Sequence, residues 1–406
     1  MLFLLLVLSS TTSLRGASRC MEIIFPLFGF ELPLPSWTTG RMWLLRLGYY
    51  KLVRAKVIAS DWVWIVDHTV QIGVEKCLVI LGIRLKDLPE AGRCVSHKDV
   101  EIIDMIPVKR SDGQIVYEQL TEATAITGVP REIIGDNGPD LKAGIDKFCN
   151  ENQGTCSVYD IKHKTAVVLK QVLTKDEKWA EFVNFSSGVK VKVQQTALAP
   201  LAPPQQRSKS RYMNINKLVK WGGRMLTIVE NPKLQSDLKY DPEQVALKLG
   251  RISEYREPLK EWEELARVVE TTEAYVREQG ISLDCHKELE ELPSLEVHSE
   301  KAINVKKQLI DFVQNESLKA NPDERLLGSS EVIESVFGKL KFLERDQAKS
   351  GVTGLLLSVG AFVSETSDQV VQKAMEAVRT RDVSKWCKKM IGQTVQSKRK
   401  EAFNPP

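Results

Sequence analysis

The sequence predicts an α/β fold, a sheet flanked by helices and interrupted by a mainly helical insertion. Apolar runs rich in Val and Ile recur at 62–66, 76–85 and 99–108, as strands covered on both faces require. Strand-like and helix-like segments then alternate as far as residue 173. Beyond a Pro/Ala-rich crossing at 196–206, residues 212–320 carry mostly helical spacing and no strand-like alternation of any length.

The first strand, WVWIV at 62–66, runs straight into Asp67, and a turn region, Gln71-Ile72-Gly73, follows before KCLVILGIRL at 76–85. DVEIIDMIPV at 99–108 is the third strand, ended by Pro107 and the turn KRSDG. A helix over 117–127 stops at Gly128-Val129-Pro130. REIIGDNG at 131–138 gives a short strand with Asp136 at its exit. A helix over 140–152, with Leu141, Ile145 and Phe148 on one side, leads to a strand at 156–161 and a helix at 164–173. The charged stretch at 251–280 reads as the solvated face of a helix.

Bulk composition limits the function classes. With 43% hydrophobic and 27% charged residues the chain is ordinary for a globular protein. A net charge of +4, from 57 basic and 53 acidic residues, is compatible with nucleic acid without demanding it. The 7 cysteines (20, 77, 94, 149, 156, 285 and 387) are scattered and form no CxxC, so neither a disulfide framework nor a zinc site is indicated, and Cys285-His286 has no second pair to answer it. No GxSxG and no HExxH occurs, which leaves serine hydrolases and zinc proteases unsupported. Leu2 to Leu8 form a short apolar run, but no positive charge precedes it and no A-x-A site follows, so it is not expected to act as a signal peptide. It also falls far short of the roughly 20 residues that span a bilayer.

Two strands ending on aspartate, Asp67 and Asp136, put carboxylates where α/β sheets place their active sites. Asp is also common where a strand simply turns. A third carboxylate comes from the helix at 330–345, whose Val332, Ile333, Val336, Phe337, Leu340 and Leu343 make one apolar face after an N-cap at Ser329 and Ser330. Glu334 and Lys341 lie two turns apart and point the same way, with Glu331 and Glu344 as the competing acids. A plain reading is an amphipathic surface helix. In the functional reading Glu334 joins Asp67 and Asp136 in one cleft, where three carboxylates would repel unless cations held them. Two Mg²⁺ ions roughly 3.5–4 Å apart are the usual solution and would serve attack on a phosphate. Lys341 would then hold the DNA backbone as a point charge.

DHTVQIG at 67–73, GDNGPDLKAGI at 135–145 and ESVFGKLK at 334–341 together resemble a DDE transposase of bacterial insertion sequences, with a retroviral-integrase-like catalytic core. The resemblance implies a ribonuclease H-like mixed sheet and carries the acidic triad onto Asp67, Asp136 and Glu334. It further implies two Mg²⁺ ions, with Mn²⁺ as a substitute, and DNA strand cleavage followed by transfer of the 3′-hydroxyl. The implied partner is double-stranded DNA, both element ends and target, bound by a homodimer on paired ends. Several such transposases insert a large helical domain between the second and third acids, as residues 137–333 would allow. They also carry an upstream helix-turn-helix, and residues 1–66 show no trihelical pattern.

The expected organisation is an N-terminal segment at 1–57, truncated or mis-started, a first core part at 58–175, and a helical insertion at 176–322. A second core part carrying the catalytic helix follows at 323–362, and a basic helical tail at 363–406. Asn137 would orient water or metal, or simply make an Asn-Gly turn. His163 and Lys164, after Asp160, would contact DNA, or His163 is an ordinary residue at a strand-to-helix junction. Location in a prokaryotic cytoplasm, on the nucleoid, goes with this reading. The alternative is a catalytically inactive remnant that only binds DNA through basic stretches such as RSKSR at 207–211 and KKMIGQTVQSKRK at 388–400.

Overall fold

Trp62 through Val66 are buried without exception, and they open a strand that continues to Ile72. Burial on both sides explains why the run shows no alternation. The computed structural model describes residues 1–72, 75–205, 212–345, 353–392 and 402–403. Gly73 of the expected turn, RSKSR at 207–211 and the basic stretch from Gln393 to Lys400 lie outside the described residues.

In chain order the first unit opens with α1 (Leu2–Leu8), α2 (Leu14–Leu27) and α3 (Trp37–Val53), then β1 (Trp62–Ile72), β2 (Glu75–Arg84) and β3 (Glu101–Val108). α4 (Gly113–Thr127), β4 (Glu132–Gly135), α5 (Pro139–Glu151) and β5 (Cys156–Tyr159) follow. The second unit, 160–328, contains α6 (Ile161–Leu173), α7 (Glu177–Val193), α8 (Ile215–Glu230), α9 (Pro232–Asp237), α10 (Pro242–Leu249) and α11 (Arg256–Gln279). It ends with β6 (Ile281–Ser282), α12 (Cys285–Glu290), α13 (Glu300–Ser317) and β7 (Arg325–Leu326). The chain then returns to the first unit with α14 (Glu331–Arg345), α15 (Ser358–Phe362), α16 (Asp368–Ala377) and α17 (Thr380–Met390).

The first unit is built on a mixed five-stranded sheet in the order β3-β2-β1-β4-β5. β1, β2 and β3 run antiparallel to their neighbours, whereas β1, β4 and β5 are parallel. Trp62, Trp64 and Val66 of β1 face Val116, Leu120 and Ala123 of α4 and Leu141, Ile145 and Phe148 of α5. Alternation sends Val63, Ile65 and Asp67 to the opposite face, where α14 meets β1 and α3 and α15 meet β3. Pro107 does not end β3, because β3 is an edge strand whose outer side has no ladder to break. α4 starts earlier than the apolar spacing suggests, since the Asp112 carboxylate accepts from the N–H groups of Gln114 and Ile115 at 3.0 Å each.

The segment before β1 is three helices, although its sequence shows no trihelical pattern. Leu44, Leu45 and Leu47 of α3 are buried, and α3 packs closely on α15. That approach requires glycine: a Cβ on Gly48 would sit 1.7 Å from the Leu357 carbonyl oxygen, and one on Gly360 2.6 Å from that of Gly48. Buried Lys51 fastens the same contact, donating to the carbonyls of Val363 (2.6 Å) and Ser364 (3.1 Å) and to Thr366 Oγ1 (2.8 Å). The start of the expected C-terminal tail therefore packs as part of the first unit.

The second unit is mainly helical, around an aromatic cluster of Trp179, Phe182, Trp221, Tyr255 and Trp262. α11 supplies the buried stripe Leu259, Trp262, Leu265, Ala266, Val269 and Val276, with Glu257, Lys260 and Glu270 among its outward charges. α6, expected with the sheet, belongs here: it packs on α11 and α13, and Thr165 donates to Glu273. Among the described residues no helix is long and apolar enough to cross a membrane.

Candidate active site

Val66 of β1 pairs with Gly135 of β4 in parallel register, so the next residues, Asp67 and Asp136, lie at the same level. Asp136 follows the end of β4, but β1 does not end on Asp67 as expected, because Asp67, His68 and Thr69 stay paired with β2 and carry the strand on to Ile72. The two strands approach closely there: a Cβ on Gly135 would lie 2.9 Å from the Val66 carbonyl oxygen. Glycine before Asp136 is thus a packing requirement of the site.

Each aspartate is oriented by its own backbone. Asp67 Oδ1 accepts from the His68 N–H at 2.6 Å. Asp136 Oδ1 accepts from the Gly138 N–H at 3.0 Å, closing an Asx turn that carries the chain through exposed Asn137 into α5. The turn-making reading of Asp136 and Asn137 is therefore realised, and it coexists with a functional one, because Asp136 Oδ2 takes no protein donor among the described residues.

Glu334 stands in the first turn of α14, together with Glu331, both half-buried. The predicted apolar face, from Val332 to Leu343, is buried in full. Lys341 is exposed. Glu344 lies in the last turn, about 15 Å along the axis from Glu334 at 1.5 Å per residue, and burial raises its carboxyl against the opposing charge of Lys341.

Asp67 and Asp136 are two hard oxygen donors, a set that suits Mg²⁺, which keeps several waters and commonly takes only one or two carboxylates plus substrate phosphate. Among the described residues no group of three or more His, Cys, Asp or Glu side chains is placed to hold a metal ion. The arrangement fits the ion through the aspartate pair, while Glu334 is not drawn into a three-donor group with them.

A polar cluster on the other face of β1 carries no signal in the sequence. His68 Nε2 lies 3.2 Å from Ser111 Oγ, and His68 Nδ1 3.8 Å from Asp140 Oδ2, which also accepts from Lys76 at 2.6 Å. Burial lowers the His68 imidazole below its ordinary value, with Asp140 and Asp136 opposing and Lys76 assisting. Burial alone would raise Asp140, but hydrogen bonds from Lys76 and Ser111 outweigh it and hold the carboxyl low. The cluster ties β1, β2, the 109–112 turn and the start of α5 together around the aspartate pair. Its members are far apart in the chain, so only the fold brings them together.

His163 and Lys164 belong to the second unit. Buried Asp160 caps α6, accepting from the His163 N–H at 2.9 Å and lying 3.2 Å from His163 Nδ1. Lys164 Nζ sits 5.2 Å from the Phe312 ring centroid. Both residues thus have local structural roles, at a strand-to-helix junction in the case of His163.

No protein-family model matches the chain, and no curated protein does. Among solved structures, the Drosophila P element transposase strand transfer complex is similar at 12% sequence identity, covering 90% of each chain with a TM-score of 0.35.

Proposed function

We propose that the chain is a DDE-type transposase, a polynucleotidyl transferase acting on double-stranded DNA from a ribonuclease H-like core. The observation that carries the proposal is the parallel pairing of Val66 with Gly135, which sets Asp67, in the middle of β1, level with Asp136, just past the end of β4. The mixed order of the sheet and the packing of α14 against β1 support it. In this reading Asp67 and Asp136 bind Mg²⁺, Glu334 from α14 supplies the third carboxylate, and exposed Lys341 holds the DNA backbone. Mg²⁺, or Mn²⁺ in its place, would supply charge neutralisation at the scissile phosphate and activation of the attacking hydroxyl. The backbone hydrogen bonds to Asp67 and Asp136 fix the pair before the ion arrives, so little reorganisation is needed.

A second reading is a DNA-binding protein that does no chemistry, and the lack of an assembled three-donor group among the described residues favours it. Duplex cleavage in Mg²⁺ and in Mn²⁺, measured beside duplex binding, separates the two. The transposase reading expects Asp136→Asn to abolish cleavage and leave binding nearly unchanged. Cleavage by that variant at the parental rate would remove Asp136 from the site. A parent that binds duplex in a salt-dependent way yet never cuts would establish the second reading.

A further inference from the structure

We propose that His97, Lys98 and Lys339 form a binding site for a backbone phosphate of nucleic acid. His97 and Lys98 lie in the turn before β3, and Lys339 lies on α14, one turn and a half beyond Glu334. Lys339 Nζ donates to His97 Nε2 at 3.0 Å, which makes that nitrogen the acceptor and leaves the imidazole neutral. The turn is held in place: the His97 carbonyl accepts from the Ser364 N–H at 2.9 Å, and the Lys339 ammonium lies 5.8 Å from the Phe362 ring centroid.

The nearby carboxylate is already committed elsewhere. Asp99 accepts from the Ser96 N–H (2.8 Å), Ser96 Oγ (2.7 Å) and Arg93 (2.9 Å). Among the described residues neither Lys98 nor Lys339 has an acidic partner. Burial and the charge of Lys98 push the Lys339 ammonium below its ordinary value, and burial with Lys339 and Lys98 does the same to His97, against Asp99. Half-buried Lys339 and exposed Lys98 repel each other at the same turn, and an anion relieves them. A phosphate can take a charge-assisted hydrogen bond from the Lys339 ammonium, with the charge of Lys98 beside it. A mere tie between α14 and the turn would need Lys339 and His97 but not the second lysine.

The choice of nucleic acid as the source of the phosphate rests on the function proposed above. The test is therefore run without catalysis, in EDTA, by fluorescence anisotropy of a short labelled duplex over a KCl series. Lys339→Gln and Lys98→Gln are each expected to weaken binding roughly three- to tenfold and to lower the salt slope by about 0.9, the value of one phosphate contact. Lys86→Gln, an exposed lysine outside the cluster, should change neither. Unchanged affinity and slope in both cluster variants would overturn the proposal. So would a thermal shift by inorganic phosphate that Lys339→Gln abolishes while duplex binding stays intact, which would assign the site to free phosphate. Because Lys98 is exposed, Lys98→Gln remains interpretable should Lys339→Gln melt. Because no metal is present, the outcome does not depend on whether the chain ever cuts DNA.

Discussion

Gly135 stands against the Val66 carbonyl so closely that a Cβ would meet its oxygen at 2.9 Å. The contact sets the spacing of β1 and β4 immediately before Asp67 and Asp136. Gly135→Ala must push backbone against backbone, and neither side can rotate away. Overpacking of this kind costs about 1–3 kcal/mol. Urea unfolding should show that loss, and Mn²⁺ affinity should fall with it as the aspartates separate. A variant as stable as the parent would mean that the strands tolerate a wider spacing.

The aspartate pair makes a prediction of its own. Calorimetry with Mn²⁺ standing in for Mg²⁺ should detect binding by the parent and none by Asp67→Ala. Equal heats from both proteins would place any bound metal elsewhere and withdraw Asp67 from the site.

How much of this was legible from the chain depends on the range of the contacts. β1 and β2 could be read because Val63 to Val66 and Leu78 to Leu81 are buried on both faces, and a continuous apolar run survives in the sequence. α14 could be read because its buried positions recur at helical spacing. The three N-terminal helices could not. α3 buries residues on several sides, Leu44, Leu45, Leu47, Gly48 and Lys51 among them, so no single stripe marks it. A lysine at its core is unreadable without Val363, Ser364 and Thr366, which are over 300 residues away in the chain. α6 is hard to place from the sequence for a related reason. Its apolar face fits a sheet or a helix bundle equally well, and only the packing on α11 and α13 decides. Asp136 follows the end of β4 as its sequence suggests, whereas Asp67 does not end β1, since pairing with β2 carries that strand past the loss of apolar character, and the His68–Asp140–Lys76 cluster exists only through the fold.

Lys51 gives stability a pH dependence. Burial, helped by Arg54 and opposed by Glu101, lowers its ammonium to about 7, and burial lowers Lys56 to about 8. Both folded values lie below the unfolded 10.5, so the unfolded chain holds more protons in between. The contribution is complete above the unfolded value and is lost as pH falls through the folded one. Stability should therefore rise from pH 7 towards 10, by at most about 1.4 kcal/mol per pH unit for each lysine. Lys51→Met leaves the Val363 and Ser364 carbonyls unpaired, at about 1–3 kcal/mol, and removes its share of the slope. Thermal melts across that range should show the gap between parent and variant widening with pH.

Asp140 acts with the opposite pH sense. Its carboxyl is held below the ordinary 3.8 by Lys76 and Ser111 against the effect of burial. The stabilisation is present above that value and disappears as pH falls through the folded one. Asp140→Asn should cost about 1 kcal/mol near neutrality, the scale of a partly exposed ion pair. The deficit should close under acid conditions. A deficit that persists unchanged at low pH would show that shape, not charge, is what Asp140 contributes.

The aromatic cluster of the second unit tests whether that unit depends on one side chain. Trp262 is fully buried, touches Trp179 and Phe182 at centroid distances of 5.0 and 5.1 Å, and donates from Nε1 to Asp176 at 3.2 Å. Lys301 donates to the same carboxylate at 2.9 Å. Trp262→Ala leaves a cavity among the rings and removes one donor from Asp176, at about 3–5 kcal/mol. Trp262→Phe refills most of the volume, so the hydrogen bond becomes the main loss, at about 1 kcal/mol. Near-UV circular dichroism and urea unfolding should order the three proteins parent, Phe, Ala. Hydrogen exchange should localise the loss in the Ala variant to α7, α8 and α11. Equal destabilisation by Phe and Ala would mean that the Asp176 contact, not ring packing, holds α11 to α7.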